Sequence, residues 1–373
     1  MKILYLITST TRGGAENTLR SLLARLDRGS FEPARVISLK PPGPVADSIR
    51  ALGVPVQSLD MGYFPAPGDF AAVREAIRAT RPDIVHAFLY RAIQFARAAK
   101  TPDFKLIASP RVNYRTRSPL IRLYDRMTCA KDDLVISESD SSREFLITGQ
   151  GYNSAKVITI RNGVDSEFWQ PGEPERAEAR FRADIKDGEL LLFSSGRLDT
   201  QKGYEYLLTA LARIRRKTPR LKTVIAGAGP LEKRLFKLIA ALELDGCVRL
   251  AGEQQHIRPW LNAADIFALP SLWEGVPNSL LEAMSMGRPC LASGVDGVLE
   301  AARPNAEILV ARPADPQDLA DKLLALYNDA PLRARLGQAA AEAARQRLAM
   351  PAMIAAYETA YRNILNPDKR ESL

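Results

Sequence analysis

Histidine is nearly absent from this sequence: 373 residues contain two, His86 and His256. Chemistry that needs several imidazoles to shuttle protons or bind a metal near neutral pH has almost no material here. Cysteine is as sparse. Cys129, Cys247 and Cys290 are scattered and lack the paired spacing of metal ligands, which argues against both a disulfide framework and a zinc site. No window approaches the roughly 20 apolar residues that cross a bilayer. The apolar run Ile3 to Ile7 is shorter than the hydrophobic core of a signal peptide and leads directly into the polar Thr8 to Arg12. It reads as a first strand, and a cytoplasmic location is expected.

What is present suits a soluble globular protein, with 46% hydrophobic and 25% charged residues. The length suffices for two domains with full cores. The net charge of +9 is unevenly spread: residues 1–170 hold 24 Lys and Arg against 17 Asp and Glu. Within them, residues 91–126 carry nine basic and two acidic side chains, which matches the whole excess. Arg111, Arg115, Arg117, Arg122 and Arg126 interleave there with Tyr114, Leu120, Ile121 and Tyr124. That mixture suits an anionic lipid surface or a phosphorylated acceptor, or else a plain solvated face. Nucleic acid also attracts basic patches, but no segment resembles a nucleic-acid module.

Apolar β-branched runs alternate with helical patterns along the chain. Strands are expected at 3–7, 34–39, 84–87, 105–108, 133–137 and 156–160, then at 190–194, 222–226, 248–251, 266–269, 289–293 and 307–310. Such alternation predicts β–α–β units and parallel sheets covered on both faces. The polar, Pro-bearing stretch between Asp165 and Asp187 breaks the pattern and reads as an interdomain linker with a capping helix. The division expected is 1–168, 169–349 and a final segment 350–373. Ligands of such sheets lie outside the carboxyl ends of the strands.

Two segments carry the chemistry. In Glu274-Gly-Val-Pro-Asn-Ser-Leu-Leu-Glu282 a strand end is followed by a tight loop and a helix opening near Asn278 or Ser279. One carboxylate then sits in the loop and the other about one turn inside the helix. Carboxylates accept charge-assisted bonds from vicinal hydroxyls, and the helix end between them offers N–H groups to an anion. Hydroxyl-binding ends around a phosphate-binding middle describe a nucleotide sugar. Upstream, Gly196-Arg197-Leu-Asp-Thr-Gln-Lys202-Gly203 follows a buried strand and precedes an amphipathic run from Tyr204. Its two cations could neutralise a diphosphate, Arg197 as a fork and Lys202 as a point charge. Gly13 and Gly14, between the first strand and helix, permit close approach to a phosphate or an acceptor. Gly227-Ala-Gly229-Pro mimics a dinucleotide fingerprint but lacks its third glycine.

Gly-Arg-Leu-x-x-x-Lys-Gly followed by Glu-Gly-x-x-x-x-x-x-Glu-Ala-Met-x-x-Gly-x-Pro resembles the C-terminal half of the retaining, nucleotide-sugar-dependent glycosyltransferases of family 4. Gly13 to Glu16, Pro82 to His86, Asn162 to Asp165, Ala226 to Pro230 and Ala264-Asp265 extend the resemblance across almost the whole chain. It implies the GT-B fold, an α/β architecture of two Rossmann-like domains with parallel sheets facing across a cleft, and a last helix from Met350 to Asn366 crossing back to the first domain. It implies that Glu274 binds hydroxyls of the donor sugar and Glu282 those of the ribose. Arg197 and Lys202 would hold the diphosphate, and His86 would face the reaction centre. Gly196, Gly275, Val276, Asn278 and Ser279 complete the donor set, and His256 would approach the base. It further implies a UDP- or GDP-sugar donor, a glycan or lipid-linked acceptor, and neither cofactor nor metal; no Asp-x-Asp stands at the expected donor site. Two departures bear on the donor: Pro277 replaces a glycine and removes an N–H, and Val295 to Glu300 brings Asp296 close to the site. A noncatalytic nucleotide- or glycan-binding protein and a nucleotide-sugar epimerase are the alternatives on such a scaffold.

Overall fold

The computed structural model describes residues 1–111 and 117–366. It divides into two units, residues 1–162 with 351–373, and residues 163–350.

The first unit is built on a seven-stranded parallel sheet in the order β3-β2-β1-β4-β5-β6-β7. Its strands are β1 (Lys2–Ile7), β2 (Glu32–Ser38), β3 (Val56–Ser58), β4 (Ile84–Phe88), β5 (Lys105–Ser109), β6 (Leu134–Ser137) and β7 (Val157–Thr159). Ile3 to Ile7 have no exposed surface, as a central parallel strand covered on both faces requires. The order reverses between β1 and β4, so the loops leaving these two strands flank the sheet's switch point.

The closing helix Met350–Leu365 packs on this unit through Tyr357 and Tyr361, both wholly buried. Tyr361 Oη lies 2.8 Å from His86 Nδ1, and His86 Nε2 lies 2.8 Å from Ser109 Oγ. Glu358 accepts the backbone N–H of Asp27 at 2.9 Å. His86 is therefore a clasp between β4, β5 and the returning helix.

The second unit holds a six-stranded parallel sheet ordered β10-β9-β8-β11-β12-β13. Its strands are β8 (Leu190–Ser195), β9 (Leu221–Ala226), β10 (Val248–Leu250), β11 (Ile266–Leu269), β12 (Cys290–Ser293) and β13 (Leu309–Ala311). Alternate residues feed two cores: Leu191 and Phe193 join Phe267, Leu280 and Met284 on one face, while Leu192 joins Leu207, Ile225 and Leu291 on the other. The switch point falls between β8 and β11, which pair directly through Leu192 with Ile266 and Phe193 with Phe267.

Two glycines press the loops beyond these strands together. Gly203, at φ +63°, comes so near Pro270 that a Cβ would stand 2.1 Å from the proline carbonyl oxygen. Gly297, in the helix Asp296–Ala301, leaves only 1.7 Å between such a Cβ and the carbonyl oxygen of Gly275.

The expected strands all form, and Val56–Ser58 is added. The linker carries the helix Glu173–Arg182. The chain leaves the first unit at Asn162 rather than 168, because Val164 N bonds Leu348 O at 2.7 Å and Met350 N bonds Val164 O at 3.0 Å. Those bonds tie residues 163–168 into the second unit.

Burial, reinforced by the nearby Arg111 charge, holds the His86 imidazole well below its ordinary value near 6.5. The folded chain then binds fewer protons here than the unfolded one once pH drops below about 6.5, so stability falls in that direction. Wild type should lose up to about 1.4 kcal/mol per pH unit relative to His86→Gln below about pH 6.5. Denaturant melts of the two proteins that stay parallel on both sides of that pH would contradict the clasp. Gly297→Ala should cost about 1–3 kcal/mol by overpacking, whereas Gly68→Ala, with open space around it, should be neutral or mildly stabilising in the same melts.

Candidate functional site

In the second unit, β8 and β11 release their loops side by side at the switch point. Lys202, at the end of the β8 loop, places Nζ 2.5 Å from Glu274 Oε1, although 72 residues separate them in sequence. The lysine side chain is 16% exposed and the glutamate 7%. Ser271 Oγ donates to Glu274 Oε1 at 2.7 Å, and Gln201 Nε2 reaches Glu274 Oε2 at 3.2 Å and Trp273 O at 3.0 Å. Leu272 N bonds Gln201 O at 2.7 Å and locks the two loops backbone to backbone. A cation and two neutral donors thus surround the carboxylate in a partly buried place and offset the cost of removing it from water.

Arg197 differs. Its side chain is 72% exposed and its nearest acid, Asp199, is 3.7 Å away. The sequence placed both cations in one ligand-facing role; the structure gives one to the glutamate and leaves the other on the surface. Gly196 lies beneath the lysine stem, with Lys202 Cε 2.9 Å from where a Cβ on residue 196 would stand.

The helix Asn278–Ser285 opens where the sequence suggests, with Pro277 at its cap and no side-chain cap. First-turn N–H groups have no acceptor inside a helix, which makes this end suited to an anion. Gly275, Asn278 and Ser279 are half-buried and Val276 is buried beside it. Glu282 follows on the same helix, half-buried. Asp296 stands exposed, one residue before the glycine that packs against Gly275. His256 is exposed in its loop. Among the described residues no group of three or more His, Cys, Asp or Glu side chains could hold a metal.

In the first unit the structure places several of the expected residues differently from the sequence reading. His86 is wholly buried with both ring nitrogens engaged, so it is not presented to a reaction centre. Beside Gly13 and Gly14, which the sequence offers to a phosphate or an acceptor, the structure places the chain's own Glu16. This carboxylate, 6% exposed, accepts from Ser9 Oγ at 2.9 Å and lies over Gly13. Burial pushes its pKa up, against the hydrogen bonds it receives from its own N–H and from Ser9 and Thr11. An acid two residues into a glycine-opened helix was the signal for this, since such ends attract carboxylates.

Arg111 does not belong to an outer surface either: Nη1 donates to Asn162 Oδ1 at 2.6 Å, Nη2 donates to Tyr357 Oη, and burial pushes its pKa down. Arg97, counted with the basic segment, is buried between Asp125 and Asp132 at 2.7 and 2.5 Å. Arg117 and Arg122 do reach the surface in part, each over an aromatic ring, Tyr90 at 5.9 Å and Phe145 at 5.5 Å. Arg115 lies outside the described residues.

Comparison with known proteins fits this geometry. The chain is 25% identical to EpsF of Bacillus subtilis over 78% of its own length and 79% of that protein. It is 29% identical to the alpha-D-kanosaminyltransferase of Streptomyces kanamyceticus over 61% of this chain and 59% of the relative. The chain spans about half the length of most of the curated relatives it matches. HepE of Anabaena, solved in complex with UDP and glucose, has the same fold, GT-B, at a TM-score of 0.88 and 21% identity, covering 97% of this chain and 100% of HepE. The family described as Glycosyltransferase Family 4 matches residues 12–168 and Glycosyl transferases group 1 matches residues 175–343, one for each half. With nearly its whole length matched in this way, the chain belongs to the family 4 glycosyltransferases.

Proposed function

We propose that this protein is a retaining hexosyltransferase that moves the sugar of a UDP- or GDP-sugar to a hydroxyl of a lipid-linked or cell-envelope glycan. The observation that carries this reading is the Lys202–Glu274 pair at the switch point of the second sheet, with exposed Arg197 on the same loop. A donor diphosphate offers Lys202 a stronger partner than one carboxylate, and Arg197 can fork onto its oxygens. Once Lys202 turns to phosphate, Glu274 is left with Ser271 and Gln201 and can accept from hydroxyls of the donor sugar. Glu282 would take the ribose hydroxyls. HepE, which binds UDP and glucose, supports UDP as the nucleotide.

In the reaction the bond from the anomeric carbon to the diphosphate breaks as positive charge spreads over the sugar ring. Negative charge grows on the leaving phosphate, where Arg197 and Lys202 stabilise it, the kind of preorganised electrostatics that often supplies the largest catalytic term. The acceptor oxygen bonds the anomeric carbon from the face the diphosphate leaves, and its proton passes to the departing phosphate. Glycoside and nucleoside diphosphate result. The scheme calls for no cofactor, no metal and no enzymic base, and His86 has no part in it. Among the described residues no helix is long and apolar enough to cross a membrane. A cytoplasmic enzyme held peripherally at the inner face would meet a lipid-linked acceptor there.

Lys202→Ala and Glu274→Gln should each lower nucleoside diphosphate release during transfer by at least ~100-fold, comparable to loss of one oxyanion donor. Wild-type turnover in either variant would reject these roles. In a thermal-shift panel of UDP, GDP, ADP and their sugars, the true donor at about 100 times its dissociation constant should add roughly 2.7 kcal/mol. A flat response to every nucleotide would remove the donor assignment.

A further inference from the structure

The helix Pro119–Thr128 in the first unit turns its apolar side outward. Leu120, Leu123, Tyr124 and Met127 are 78%, 56%, 49% and 74% exposed. Their spacing of three, four and seven residues puts them on one stripe. Single exposed apolar side chains are common on proteins, but four in a row form a patch. The opposite side of the helix holds Asp125, which has no exposed surface. Its carboxylate accepts from Arg97 Nη1 at 2.7 Å, Tyr152 Oη at 2.7 Å and Gln94 Nε2 at 3.0 Å. Thr128 adds bonds of 3.0 Å to Gln94 Oε1 and from Arg97 Nη1. Rolling the helix to hide the stripe would pull Asp125 from Arg97 and leave a buried guanidinium short of a partner, a large cost. The outward face is fixed by the polar anchor beneath it.

One margin of the stripe is cationic, at Arg126, with Arg122 farther round and Arg117 just before the helix. Arg126 is exposed, Arg122 and Arg117 are half-buried, and the helix's one acid, Asp125, is spent inside. We propose that this helix is a lipid-docking face: an anionic bilayer receives Leu120, Leu123, Tyr124 and Met127 at the boundary between headgroups and acyl chains, while Arg117, Arg122 and Arg126 meet lipid phosphates. Apolar residues on one side with guanidinium groups beside them are the pattern of helices that lie in a membrane interface. An anionic surface complements every exposed charge on the helix. The proposal rests on the peripheral location given under the proposed function; its residues belong to the first unit and the donor loops to the second, so loss of vesicle binding and loss of sugar transfer are separable results.

The test is co-sedimentation of the full chain, without donor or acceptor, with vesicles of phosphatidylglycerol and phosphatidylcholine and with phosphatidylcholine alone. Wild type should partition at least ~10-fold more onto the anionic vesicles. Leu120→Ser combined with Met127→Ser should reduce that partition by at least ~10-fold with an unchanged melting temperature, because both side chains are already in water. Arg126→Glu should weaken it about fivefold or more, in a salt-dependent manner. Wild type left in the supernatant, or a double variant that pellets like wild type, would overturn the proposal. A wild-type dimer by light scattering that the double variant converts to monomer, with no vesicle binding, would assign the face to a second copy and overturn it too.

Discussion

One ion pair, Lys202 with Glu274, depends on almost everything else in the second unit. It forms because β8 and β11 are neighbours in the sheet though far apart in sequence, and because the loops beyond them close to backbone contact at Gly203 and Pro270. With the lysine and glutamate side chains only 16% and 7% exposed, neither charge could stay there alone without a substantial desolvation penalty. Pairing offsets that penalty. Under the proposed function, a donor would exchange partners with the pair by bringing both an anion and hydroxyls. A bare anion would release the glutamate with nothing to replace the lysine. A bare sugar would find the carboxylate already engaged.

Most of the architecture was legible because parallel strands buried on both faces are written as continuous apolar runs. Val56–Ser58 escaped since its three residues are only half-buried and edge the sheet. The loops beyond β8 and β11 were legible for a related reason: their glycines, cations and acids are local in sequence, and the helix at Asn278 announces itself through Pro277 and the apolar pattern after it. What could not be read were partners far along the chain. His86 reads as a site residue near a strand end and Arg111 as part of a basic surface, yet Tyr361 and Tyr357, more than 200 residues later, claim them. A sequence records that a side chain is polar, not that a distant hydroxyl will satisfy it. Glu16 misled in the opposite way, by supplying the charge that the glycines were expected to receive from a ligand.

The first unit also shows why a count of charges is a poor map of a surface. Arg97 contributes to the basic excess but lies inside, its fork divided between Asp125 and Asp132. Lys100 pairs with Asp133 at 2.9 Å. The cations left outside are fewer than composition implied, and they matter more for being grouped beside apolar residues. The buried arginine has an indirect part in that grouping: by holding Asp125 it sets the roll of the helix above it.

The second unit is an insertion within the first, since residues 163–350 form one body while the other needs both residues 1–162 and the closing segment. During synthesis the inserted body has all its residues once position 350 has left the ribosome, and it can fold as a unit at that point. The contacts of His86 and Phe31 with Tyr361 require the helix Met350–Leu365, which follows the inserted body in sequence. Along the chain, the first unit is thus begun before the inserted body and completed only after it.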